Sequence, residues 1–80
     1  MNITVYSTPF CAPCERLKQY LNSHGIEFAR KDLMMDEEAA EMLEDKGIRS
    51  APVLEIDGEF YWGAQIAPEA LPKLLGLQGA

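Results

Sequence analysis

The sequence predicts an α/β domain in the order βαβαββα, with a four-stranded mixed sheet covered by three helices. Three observations predict it. Short alternating runs of β-branched and aromatic residues, such as Ile3-Thr4-Val5-Tyr6, are interleaved with longer stretches whose apolar residues recur every three or four positions. Glycines stand where those longer stretches should stop, at Gly25 and Gly47. The pair Asp57-Gly58 lies between two alternating runs, the strongest short hairpin signal. Two strands joined by a crossover helix should be parallel, and the hairpin adds an antiparallel pair, so the sheet is mixed.

The elements follow in order. Ile3-Thr4-Val5-Tyr6 is the first strand, broken by Ser7-Thr8-Pro9-Phe10. A helix from Ala12 carries Leu17, Tyr20 and Leu21 at helical spacing and Glu15, Arg16, Lys18 and Gln19 on a charged face, and Gly25 ends it. Ile26 to Lys31 alternates again and is the second strand. Asp36 can cap a second helix with Ala39, Met42 and Leu43 on its apolar stripe. Its leading acids suit the positive helix end, whereas Glu44 and Asp45 do not, so packing must hold it. Val53 to Ile56 and Glu59 to Trp62 are the hairpin strands. The tail from Pro68 is a third helix through Leu71, Leu74 and Leu75, with two paths open around Pro72: a short turn from Pro68 and a restart at Pro72, or a kink.

Residues 1–80 read as one domain, with no linker, repeat or low-complexity tract. The formal net charge of -6 repels phosphate backbones and anionic headgroups, which argues against nucleic acid and membrane partners. No run approaches the roughly 18 apolar residues of a membrane span, and the first residues lack the basic and apolar regions of a leader. The expectation is a monomeric cytoplasmic protein.

Both cysteines lie in Cys11-Ala12-Pro13-Cys14, between the first strand and the first helix. Disulfide exchange needs an exposed thiolate to attack and a second thiol close by to resolve the mixed disulfide. Residues three apart share a helix face, so the spacing meets both needs. With Cys11 as the helix cap and Pro13 lacking an N–H, the Cys14 amide is the local donor to the Cys11 sulfur. The helix end favours a thiolate there by about 0.3–1 kcal/mol. Cys11 is thus the expected nucleophile and Cys14 the resolving thiol. Two competing readings are a buried apolar pair and a metal site. Two thiolates are half of a tetrahedral set, and His24, the only histidine, falls at the far end of the helix. No monomeric metal site is expected, although a dimer sharing a metal or iron-sulfur cluster through Cys11 stays open as a carrier reading.

Tyr6, Pro9, Cys11-Ala12-Pro13-Cys14, Ala51-Pro52-Val53 and Trp62-Gly63 together resemble the glutaredoxin family of the thioredoxin fold, over nearly the whole chain. The turn from Trp62 to Pro68 is similar to that of NrdH-type redoxins, which are glutaredoxin-like in sequence and thioredoxin-like in electron source. The resemblance implies a thioredoxin-like fold and a redox-active Cys11–Cys14 disulfide with no bound cofactor. It also implies a cis peptide at Ala51-Pro52 facing the cysteines, with the Ala51 backbone pairing to a bound thiol substrate and Pro52 keeping metal away. Substrate contacts are expected from Phe10, Arg49, Ala51, Pro52, Trp62 and Gly63, with Tyr6, Pro9 and Pro13 in support. Tyr6 and Trp62 also read as packing residues.

Departures from the pattern bear on the electron source. Glutathione-using members commonly carry a basic residue where this chain has Thr8, and a second glycine and an acid where it has Ala64 and Ala67. Two charges that would meet a zwitterionic tripeptide are therefore missing, leaving Arg49 as the candidate carboxylate contact. The expectation is reduction of protein disulfides, ribonucleotide reductase among them, with recharging by a thioredoxin-reductase-like flavoprotein. Glutathione as cosubstrate is the alternative.

Overall fold

The computed structural model describes residues 2–76. Its elements are strand β1 (Ile3–Ser7), helix α1 (Ala12–Ser23), strand β2 (Ala29–Asp32), helix α2 (Glu37–Asp45), strands β3 (Val53–Ile56) and β4 (Glu59–Trp62), a 3-10 turn (Gly63–Ile66) and helix α3 (Leu71–Leu74). The sheet runs β2-β1-β3-β4. β1 lies parallel to β2 and antiparallel to β3, and β3 pairs antiparallel with β4, as the crossover helix and the hairpin require.

Register sorts the side chains onto two faces. Tyr6 is paired with Val53, and Val53 with Trp62, so these three share one face. There they pack with Ala39 and Leu43 of α2 and with Ile48. Val5 and Leu54 are paired on the opposite face and join Leu17 and Leu21 of α1, Ile66, and Leu71 and Leu75 at the C-terminal side. The sheet is thus a middle layer with an apolar cluster on each side.

Local chemistry closes each helix. The Asp36 carboxylate accepts from the Ala39 amide at 3.0 Å and caps α2. Gly25 and Gly47 follow α1 and α2 at φ of 67° and 76°, the left-handed geometry that lets a helix stop. This closure also shortens β2 relative to the strand expected from Ile26. The Ile26 amide donates to the Leu21 carbonyl at 2.9 Å, which commits Ile26 to ending α1, and pairing with β1 begins at Ala29. Ile26 and Phe28 are apolar because they pack against the α1-side cluster.

Of the two paths around Pro72, the turn and restart is the one adopted. Ala70 and Leu71 donate to the Ala67 carbonyl across the turn that contains Pro68. α3 then starts at Leu71 with Pro72 in its first turn, where an amide would lack a helical partner in any case. The 3-10 turn Gly63–Ile66 was not expected from the periodicity, since four residues are too few to show one.

Tyr6 is buried, and its hydroxyl donates to Glu55 Oε1 at 2.5 Å. Burial, then the hydrogen bond and charge of Glu55, and then Asp36 hold the phenol proton far above its ordinary range. The folded protein therefore keeps a proton that the unfolded chain releases near pH 10, so stability that is level below about pH 9 falls as the pH rises through 10 and beyond. Urea titrations across that range should show this slope, and Tyr6→Phe should flatten it. Leu54 has no exposed surface. Leu54→Ala should cost about 2–5 kcal/mol in the same titrations, whereas exposed Glu41→Ala on α2 should stay within about 0.5 kcal/mol.

Candidate active site

The pairing of the strands brings four separated segments to one end of the sheet. β1 leaves the sheet there toward the cysteines, β3 enters there at Val53 just after Ala51-Pro52, and β4 ends there at Trp62. The Leu33 amide donates to the Ser7 carbonyl at 2.8 Å, which brings the end of β2 to the same edge. The predicted site segments are thus neighbours by topology.

Cys11 is the N-cap of α1, with an extended backbone at φ -109° and ψ 104°. Its Sγ accepts from the Cys14 amide at 3.1 Å, the contact expected once Pro13 has removed the other donor. The two cysteines are joined as a disulfide with Cα atoms 5.2 Å apart. Cys11 is half-buried while Cys14 is 1% exposed, so only one of the two sulfurs faces a partner from solution. Glu15 in the first turn of α1 is drawn into a 3.7 Å contact with Lys18 at the surface.

The remaining residues singled out in the sequence divide into four groups. Ala51-Pro52 is a cis peptide, and Pro52 is buried while Ala51 is half-buried. Ala51, Pro52, Pro13 and Gly63 all line one groove of about 370 Å³, whose deeper wall is Leu17, Ile66 and Leu71. Phe10 is fully exposed at φ 58°, a left-handed conformation that a bulky residue rarely adopts, so its ring stands in solvent directly before Cys11. Pro9 is exposed beside it.

Arg49 lies elsewhere. It lines a crevice of about 260 Å³ with Thr8, Ser50 and Ala51, and the Glu44 carboxylate is among the same lining groups. The two hollows share Ser50 and Ala51, so the segment before Pro52 is the ridge between them. Trp62 and Tyr6 pack into the α2-side cluster, and neither lines the groove beside Pro13. Their contribution at this edge is to fix the strand ends that carry Gly63 and the cysteine loop.

Reading the sequence for charge alone missed Arg16, which lines the groove beside Pro13 and Pro52. A signal was present. Residues 13, 16, 17 and 20 lie at helical spacing on one face of α1, and all four line this groove. Polarity alone groups Arg16 with the solvated face of α1, whereas its position in the helix puts it on the groove.

The arrangement can hold a thiolate at a helix N-terminus, present it beside a cis-proline ridge, and keep a second sulfur beneath it. Residues 3–61 match the glutaredoxin family. The N-acetyl-S-hydroxy-L-cysteine reductase of Bacillus subtilis is 40% identical over 65 residues, covering 79% of this chain and 70% of that protein. The glutaredoxin-like protein NrdH of Salmonella typhimurium is 30% identical over 74 residues, covering 92% of this chain and 89% of that protein. The glutaredoxin-like NrdH-redoxin of Escherichia coli, described as having a thioredoxin-like activity profile, superposes with a TM-score of 0.78 at 25% identity, covering 100% of this chain and 97% of that one. With its thioredoxin-like fold and its Cys11–Cys14 pair, this chain belongs to the glutaredoxin family as a small NrdH-like thiol-disulfide oxidoreductase.

Proposed function

We propose that the Cys11 thiolate attacks a substrate disulfide and Cys14 resolves the intermediate. One substrate sulfur leaves as a thiol while the other stays bonded to Cys11. Cys14, once deprotonated, then attacks Cys11 Sγ, the second substrate thiol leaves, and the Cys11–Cys14 disulfide remains. Two electrons pass from the dithiol to the substrate. The observation that carries this assignment is the 3.1 Å hydrogen bond from the Cys14 amide to Cys11 Sγ, at the cap of a twelve-residue helix. An amide and a helix end both favour a negative sulfur there. Cys14 is nearly sealed from solvent, which suits a thiol that meets only its neighbour.

The substrates in this reading are protein disulfides, ribonucleotide reductase among them, approached through Phe10, the Ala51-Pro52 ridge and Gly63. Arg49 contributes from the neighbouring crevice across the Ala51 ridge, and Pro13, Pro9 and Tyr6 act in support. Recharging comes from a thioredoxin-reductase-like flavoprotein in the cytoplasm. Two things support this electron source: the thioredoxin-like profile described for the E. coli NrdH-redoxin, and Thr8, Ala64 and Ala67 standing where glutathione-using relatives carry recognition features.

A second reading of the same site is reduction of a small cysteine sulfenic acid, which the Bacillus subtilis relative favours by its own substrate. In that case Cys11 attacks the S–OH sulfur, water leaves, and Cys14 releases the thiol. The electron count is again two.

A coupled NADPH assay separates the electron sources. Turnover of a protein disulfide is expected with thioredoxin reductase and not with glutathione plus its reductase; the opposite result would overturn the choice of electron source. A brown dimeric protein from anaerobic purification would instead support the cluster carrier. Cys14→Ser should trap a mixed disulfide on Cys11, detected by mass spectrometry of the intact protein. Trapping on Cys14 in Cys11→Ser protein would reverse the two roles.

A further inference from the structure

Three large apolar side chains are exposed among the described residues, Phe10, Met34 and Met35, and all three stand at the cysteine end of the sheet. β1 and β2 run parallel with Ser7 beside Asp32, and the Leu33 amide donates to the Ser7 carbonyl at 2.8 Å, so the chain leaves both strands at one edge. Phe10 lies three residues past the end of β1, and Met34 and Met35 lie two and three past the end of β2. At about 3.5 Å per residue, none of them is more than roughly 11 Å from its strand end. Thr8 and Leu33, on the two connections, line one crevice, so these connections run side by side.

The turn that carries the methionines is pinned at its start. Asp32 Oδ1 accepts from the Met34 amide at 2.8 Å, and the Asp32 carbonyl accepts from the Met35 and Asp36 amides at 3.0 and 2.8 Å. A partner thus meets a turn already ordered and spends little binding free energy on arranging it. Carboxylates surround this turn. Asp32, Asp36, Glu37 and Glu38 line the shallow hollow of about 740 Å³ that also holds both methionines, Arg30 and Lys31. Lys31 lies 3.8 Å from Asp36, and the Arg30 guanidinium stands over the Phe28 ring. Glu37 and Glu38 are exposed and take part in neither ion pair found among the described residues. The edge beside the nucleophile is apolar with a negative rim.

We propose that this edge docks protein substrates whose disulfide lies in an apolar segment flanked by lysine or arginine. The apolar residues of that segment rest on Phe10, Met34 and Met35, and its cations meet Glu37 and Glu38. The proposal rests on the dithiol reading of Cys11 and Cys14 and adds a partner class to it. An occupant bonded to Cys11 that also touches Met35 spans the ends of two strands, which calls for a polypeptide. Methionine suits such a surface, since its flexible thioether chain adapts to different apolar partners. Charge favours the substrate over the reductase as occupant. The reduced protein adds a Cys11 thiolate to the acidic edge and the oxidised protein has none, so a cationic partner is drawn to the form that meets substrates and released from the form that results. The exchange is the one already described: one substrate sulfur leaves as a thiol, and the other stays on Cys11 until the Cys11–Cys14 disulfide closes.

Single-turnover reduction by the pre-reduced protein, followed by acid quench and mass spectrometry, tests it without any electron source. Three peptides carry the same internal disulfide, flanked by leucine and lysine, by leucine and glutamate, or by serine and lysine. The first should exceed each of the others in kcat/KM by roughly tenfold at low salt, and its lead over the glutamate peptide should shrink as salt is added. The net charge of -6 by itself favours lysine, so location is tested with variants of equal charge change. Glu37→Gln with Glu38→Gln should slow the leucine-lysine peptide about fivefold, whereas Glu41→Gln with Asp45→Asn, farther along α2, should change it by less than about twofold. Met34→Gln with Met35→Gln should remove most of the lead of leucine over serine and leave reduction of the small neutral hydroxyethyl disulfide unchanged. Equal effects from the two carboxylate pairs, or a leucine lead unchanged in the methionine variant, would overturn the proposal while leaving the oxidoreductase reading in place. A methionine variant slowed in recharging by thioredoxin reductase and not in peptide reduction would overturn it and assign the surface to the reductase. Failure to reduce hydroxyethyl disulfide would sink the oxidoreductase reading, and this proposal with it.

Discussion

The pairing of β1 with both of its neighbours places every segment of the site. β1 is parallel to β2 and antiparallel to β3, and β4 turns back antiparallel on β3. Strand direction alone therefore puts the end of β1, the start of β3 and the end of β4 on one edge. The cysteine loop, the Ala51-Pro52 ridge and Gly63 are carried there together. A slip of one residue would turn Val5 and Leu54 toward α2 and Tyr6 and Val53 toward α1, exchanging the two apolar clusters. Register and site are thus a single structural requirement.

The helix that follows β1 does two jobs with one face. Its buried residues Leu17 and Leu21 anchor α1 to the sheet, and this holds its N-terminus over the edge where the cysteines sit. The Cys14 amide, left without a helical acceptor, is satisfied by the Cys11 sulfur instead. A structural need of the helix end and a chemical need of the thiolate are met by the same hydrogen bond. The face that carries Leu17 also carries Pro13, Arg16 and Tyr20, so the helix that positions the nucleophile also builds the groove beside it.

Charge is distributed unevenly around this arrangement. All five charged residues of α2, namely Glu37, Glu38, Glu41, Glu44 and Asp45, are acidic, and α2 covers the face opposite the groove. Two cations line hollows on either side of the Ala51 ridge, Arg16 in the larger groove and Arg49 in the smaller crevice with Glu44. Arg49 thus shares its hollow with an acid, and Arg16 does not. Two cations that look equivalent in the sequence are therefore unequal as anion contacts.

Much of this was legible in the sequence, because the interactions concerned are local. The cap at Asp36, the stops at Gly25 and Gly47, the Asp57-Gly58 hairpin and the Cys11–Cys14 spacing each depend on residues within a few positions of one another, so residue type and order determine them. Other features depend on contacts that close only in three dimensions. β2 begins at Ala29 and not at Ile26 because Leu21, at the end of the preceding helix, claims the Ile26 amide. Trp62 turns into the α2-side cluster, away from the groove, because its pairing with Val53 sets its face. Arg16 reads as one more charge on a helix surface until Pro52, Ile66 and Pro68, far along the chain, are folded against that same surface. Residue type and order suffice for the elements and the reactive pair, since both rest on short-range contacts, whereas the surroundings of the pair depend on which distant segments the sheet brings to its edge.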